Sequence, residues 1–204
     1  MTIPLRCRCG KLRGQVDARR IAARAVCYCK DCQAFGHFLG AGKLDAAGGT
    51  EVAATLPAAV RFETGLEHLA CMSLGPRGLY RWYASCCRTP IANTPRDPRT
   101  AYVGLVRACL DVSLEELDHE LGPLRCRANT ASATRPVKST LAATVPVVAR
   151  VGIMLVKARL GGGYRDNPFF DPHSGQPVKP VQVLSLEERK ALTRQDLPAG
   201  QRRD

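Results

Sequence analysis

The chain has 204 residues, 45% of them hydrophobic and 24% charged, which is long enough for one sizeable core and excludes wholesale disorder. Its net charge of +12 is uneven, +9 on residues 1–110 and +3 on residues 111–204. A basic surface favours anionic partners, but no aromatic-and-basic stacking motif accompanies it, so no nucleic-acid partner is expected.

The opening residues, Met1 to Arg6, contain no apolar run of signal-peptide length, so the expected location is cytoplasmic. Pro4–Arg8 and Leu12–Val16 flank Cys9-Gly10-Lys11 and read as a hairpin with Cys7 and Cys9 at its tip. Ile21–Cys27 reads as a strand leading into a second cysteine group. Val60–Glu63, Leu66–Leu74, Leu79–Ala84, Ile91–Thr94 and Ala101–Arg107 continue the pattern, with Gly65 and the run from Gly75 to Gly78 as turns. Residues 1–110 are therefore expected to form a mainly β unit.

Residues 111–204 read as a helical extension. Ser113-Leu-Glu-Glu116 is a capping box that opens a short helix stopped by Gly122. Residues 127–140 are small and polar, as in a linker. Leu141–Leu160 is the most apolar stretch, interrupted by Pro146, Arg150 and Lys157. A central arginine costs about 2.5 kcal/mol or more in a bilayer, which argues against a membrane span. Val147, Val151, Met154 and Leu155 share one face of an amphipathic helix, expected to pack on the core in preference to resting on a membrane surface. Asn167–Asp171 is a proline-bearing loop, and Ser185-Leu-Glu-Glu188 is a second capping box. The residues from Leu197 on are expected to fray.

Ten cysteines in a reducing compartment point to metal or redox chemistry. Cys27, Cys29 and Cys32 place three soft donors within six residues, which suits zinc. If only these three bind, the fourth coordination position is open. His37 is near enough in sequence to be a fourth ligand, although a hydrogen-bonded polar histidine is the expected role. Cys7 and Cys9 with Cys86 and Cys87 form a second constellation, two pairs each at a β turn, which one structural zinc would tie together. Adjacent cysteines point in different directions, so placing both Cys86 and Cys87 on one metal is awkward. Cys71, Cys109 and Cys126 read as small buried hydrophobes, and Trp82 and Tyr83 as core aromatics.

Taken in order, these motifs resemble the glutathione-dependent formaldehyde-activating (GFA) family, which includes centromere protein V. The matching residues are Cys7-Arg-Cys-Gly10, then Cys27-Tyr-Cys-Lys-Asp-Cys32, then the stretch from Arg81 through Cys87 to Pro90. The likeness covers roughly residues 5–107. It implies an Mss4-like β-tent core, a structural zinc on the hairpin cysteines and the late pair, and a catalytic zinc with an exchangeable position on Cys27, Cys29 and Cys32. Glutathione would bind beside that catalytic zinc. The implied reaction is condensation of formaldehyde with glutathione to S-hydroxymethylglutathione, a carbon–sulfur lyase activity.

Two positions depart from the family pattern. The first cysteine of the late motif falls on Ala84, and Arg88 stands where a glycine is usual. Either Cys86 moves in as the fourth ligand, or the structural zinc is three-coordinate, or it is absent. The competing expectation is a non-enzymatic, zinc-stabilised module that docks a partner through its basic surface or the Leu141–Leu160 helix.

Overall fold

The computed structural model describes residues 1–40, 42–138 and 140–194; the stretch from Leu197 lies outside the described residues. In chain order the elements are β1 (Thr2–Arg6), β2 (Arg13–Asp17), β3 (Ala23–Cys27), α1 (Lys30–Leu39), β4 (Thr50–Thr55), β5 (Val60–Thr64), β6 (Leu69–Ser73), β7 (Tyr80–Ala84), β8 (Thr89–Thr94), β9 (Val103–Val106), α2 (Leu114–Leu121), β10 (Cys126–Ala128), α3 (Leu141–Leu160), β11 (Val181–Val183) and α4 (Leu186–Arg194). The fold is mainly β. One sheet has the order β1-β2-β5 and the other β10-β3-β4-β9-β8-β7-β6-β11.

The small sheet follows from period-two alternation. Ile3 and Leu5 on β1 and Val16 on β2 point inward while their neighbours meet water. They join Trp82, Ile91, Val103 and Leu105 of the large sheet in one core. The Trp82 indole donates to Thr94 Oγ1 at 2.9 Å, so its buried N–H is satisfied. β8 and β9 are buried along their whole length; β9 reads as a continuous apolar run for that reason, whereas β8 carries the buried polar residues Thr89, Asn93 and Thr94.

Four elements depart from the sequence expectation. Lys30–Leu39 is a helix, not part of an all-β run; Cys29 is its N-cap, and Ala34, Phe35 and Leu39 are buried on its inner face. β4 is a strand despite its alanines, because β3 and β9 pair with it on both sides. β10 overlaps the start of the expected linker and pairs in parallel with β3; β11 pairs in parallel with β6.

The boundary at residue 110 is therefore not a structural divide, and the extension is not purely helical. Phe169 and Phe170, from the proline-bearing loop, enter the core against Trp82, with ring centroids 5.1 and 6.4 Å away. Leu184 and Leu192 pack with Phe35 and Leu39 of α1, and Arg189 of α4 pairs with Asp31 at 2.8 Å. α3 has the bounds expected of it. Val147, Val151, Met154 and Leu155 are half-buried and Ala158 is buried, on the side that meets β3 and β10. Among the described residues no helix is long and apolar enough to cross a membrane.

α2 is tied to the sheet by a buried cation. Its Leu117 is sealed in the core, and the Arg24 guanidinium on β3 meets Glu51 at 2.6 Å, Asp118 at 2.7 Å and the Gly122 carbonyl at 3.0 Å. Arg24→Met should cost about 3 kcal/mol in urea unfolding, mostly by leaving the largely buried Glu51 without its partner.

Candidate metal centres

The first centre forms where two hairpin tips meet. Cys7 and Cys9 lie just beyond β1, and Cys86 and Cys87 lie in the turn between β7 and β8. Gly65 holds the tip in place from below: it has φ +77, and any Cβ there would collide with the Lys11 backbone. The sulfurs of Cys7, Cys9 and Cys86 are 3.3–3.8 Å apart, and Cys86 and Cys87 are 3.9 Å apart. A soft divalent cation with metal–sulfur bonds of about 2.3 Å needs tetrahedral edges of about 3.8 Å. All four sulfurs fit one ion.

Cys86, and not position 84, brings the further sulfur to this cluster. Ala84 is fully buried within β7, paired with Leu69 and Thr89. Arg88 closes the turn in the left-handed region, at φ 54, and donates its N–H to the Ala84 carbonyl at 2.7 Å. This tight turn brings two adjacent cysteines onto one centre, against the expectation that they would diverge. The Arg88 side chain donates to the Phe38 carbonyl and lies over the Phe38 ring at 4.9 Å, so Arg88 also fastens the turn to α1.

Hydrogen bonds to sulfur support this centre. The Leu12 N–H donates to Cys7 Sγ at 3.3 Å, and Thr89 Oγ1 lies 3.1 Å from Cys87 Sγ while accepting from the Arg8 N–H. Burial works against the Cys87 thiolate, but the contacts with Thr89, Cys9 and Cys7 outweigh it and bring its pKa down to about 6. Burial and the neighbouring thiols push Cys86 up.

The second centre is the triplet. Cys27 ends β3, Cys29 caps α1, and Cys32 sits in the first turn of α1, with the three sulfurs within 4.8 Å of one another. Among the described residues only these three donors converge; His37 lies farther along α1 and is not part of the cluster. The Cys32 N–H donates to Cys29 Sγ at 3.4 Å, so the helix N-terminus faces the cluster and favours ionised sulfur. Hydrogen bonds from Cys29, Cys32 and Asn129 hold Cys27 far below the ordinary thiol range, and the Cys27 charge in turn drives Cys29 and Cys32 up. Negative charge on the cluster thus favours Cys27 over its two neighbours, and a cation lets the others ionise.

Three further residues complete this centre. Asn129 Nδ2 donates to Cys27 Sγ at 3.3 Å. Its backbone is left-handed, at φ 57, and it follows β10, whose Ala128 lies beside Cys27. Gln33 is buried and donates to the carbonyls of Tyr28 and Ser132, at 2.6 and 2.7 Å, which locks the ligand loop to the 130–132 turn. Arg81 on β7 is 3% exposed and stacks on Phe35 at 5.3 Å. No carboxylate pairs with it among the described residues, and its charge acts on Cys32. A buried guanidinium without an acid partner is costly unless an anionic centre balances it.

Only faint signals mark these residues in the sequence. Asn129 is a residue type tolerant of the left-handed region, and Arg81 interrupts an aromatic strand. Cys71, Cys109 and Cys126 are buried, as expected of small hydrophobes. Trp82 is a core aromatic, and Tyr83 is half-buried against Phe38.

The family of unknown function DUF6151 matches residues 1–182. The chain belongs to this family. The DUF6151 span includes both cysteine clusters, Asn129 and the Phe169–Phe170 pair, so most of the extension is part of it. No curated protein matches the chain. Among solved structures, a Rhodobacter sphaeroides protein determined in a structural genomics programme is 19% identical, with a TM-score of 0.42, over 60% of this chain and 97% of that one.

Asn129→Ala should lower metal affinity at the triplet by about tenfold and leave the four-sulfur centre unchanged, as measured by chelator competition. Because Cys29 and Cys32 hold their protons without metal, loading the triplet should release about two protons. Apparent affinity should then rise by about a hundredfold per pH unit near neutrality and fall in acid. Titration between about pH 6 and pH 8 checks the slope.

Proposed function

We propose that both centres hold zinc within an Mss4-like core of the GFA type, closed and structural at Cys7, Cys9, Cys86 and Cys87, open at Cys27, Cys29 and Cys32. The open centre binds a low-molecular-weight thiol such as glutathione, and its chemistry is formation of an S-hydroxymethylglutathione-like adduct, a carbon–sulfur lyase reaction. The observation that carries this reading is the difference in donor count. Four sulfurs converge at one centre, but only three at the other among the described residues. All-thiolate donor sets at tetrahedral spacing favour zinc, and a three-ligand zinc keeps a position for substrate.

Zinc bound at the triplet would lower the pKa of an incoming thiol and hold it ready to attack a carbonyl carbon. The chain's own residues set the stage for this. Cys27 and Cys29 are half-exposed while Cys32 is buried, so a small molecule approaches on the side of the first two. Asn129 fixes the Cys27 sulfur, and Arg81 offsets the negative charge from beneath. Arg127 interacts with the Tyr28 hydroxyl and is exposed, which offers a cation for a glutathione carboxylate.

Native mass spectrometry should find two zinc ions per chain and a glutathione adduct that Cys29→Ser abolishes. Two ions without an adduct would favour the non-enzymatic, zinc-stabilised module, and an adduct unchanged in Cys29→Ser would sink the assignment of the triplet.

A further inference from the structure

α3 contains twenty residues, none of them acidic, and is about 30 Å long. Its inner face meets the sheet, but its outer face is bare. Val145, Val148, Ile153, Val156 and Leu160 are 57–84% exposed, and exposed Ala149 and Gly152 lie between them. These positions follow helical spacing and make one continuous apolar stripe. Five of the eleven exposed large hydrophobics among the described residues sit on this one helix, a concentration that single scattered apolar residues do not produce.

The stripe has a cationic margin. Arg150 and Lys157 run along one side, and Arg159 lies near the C-terminal end. None of the three has a carboxylate partner among the described residues. Beyond Arg150 and Lys157 a groove of about 500 Å³ separates α3 from the turn after β2, floored by Ile21 and Met154 and rimmed by Arg19 and Arg20. Asp17 pairs with Arg19 and Arg20, at 3.1 and 3.6 Å, and leaves the α3 cations uncompensated.

We propose that this face docks the protein on an anionic lipid bilayer, with α3 lying in the plane of the interface, its apolar stripe at the acyl boundary and its cations among the headgroups. Charge decides between this surface and a second copy of the chain. Two α3 helices packed through the stripe would bring cations together with no acidic residue on either helix to pair with them. Anionic headgroups supply the missing partner. This docking is independent of what the triplet binds.

The test uses the full chain with vesicles of phosphatidylcholine alone or mixed with phosphatidylglycerol. Co-sedimentation should occur only with the anionic vesicles and weaken about tenfold or more between low and high salt. The double variant Ile153→Glu with Val156→Glu should bind about tenfold more weakly or worse. In Val148→Trp, the added indole should shift its emission to the blue on vesicle binding, which adsorption by charge alone would not produce. Absence of binding at low salt, or binding without the blue shift, would overturn the proposal. So would a dimer in analytical ultracentrifugation that the double variant dissolves, because the stripe would then belong to a second copy.

Discussion

Seven sulfur atoms gathered at near-contact distances cannot all ionise unless positive charge is brought to them. Within each cluster the thiols compete. Cys27 is lowered while Cys29 and Cys32 are raised, and Cys87 is lowered while Cys86 is raised. The protein answers with fixed dipoles and one buried cation: the N-terminus of α1, the Asn129 amide, the Thr89 hydroxyl and Arg81. Such groups leave a site partly prepared for a metal ion, because hydrogen bonds to ionised acceptors are the strong ones. The local chain geometry around both clusters serves this balance, from the left-handed turn at Arg88 to the parallel pairing that delivers Asn129.

The two centres are also mechanically linked. α1 begins at the triplet and carries Phe38 in its last turn, where Arg88 of the four-sulfur turn stacks and donates. α4 braces the same helix through Asp31 and Leu192. One helix thus spans the two clusters, with Cys32 in its first turn and Phe38 in its last.

Much of this was legible in the sequence because it rests on local signals. Alternation around Cys9-Gly10 marked the first hairpin, the capping box at Ser113 marked α2, and the apolar run marked α3 to the residue. The spacing of the cysteines marked both clusters. What stayed hidden depends on contacts distant in the chain. β4 is alanine-rich and is a strand only because it is paired on both sides. β10 and β11 are three residues each and carry no pattern of their own. The convergence of the adjacent Cys86 and Cys87 on one cluster goes with the left-handed backbone at Arg88, which their adjacency does not signal. Asn129 and Arg81 matter because of the sulfur they face, which no spacing within the chain reveals.

The parallel additions at β10 and β11 have a consequence for how the protein is made. They occupy the two outermost places of the eight-stranded sheet, and their partners β3 and β6 are synthesised long before them. Until residues 126–128 and 181–183 emerge from the ribosome, both outer strands of the nascent sheet present unpaired N–H and C=O groups to any other extended chain. Closing those long loops is slow relative to forming the hairpins between them. The extension therefore acts as the last step that seals the sheet. A chain cut after residue 110 would keep all seven clustered cysteines and still be prone to self-association through its bare margins.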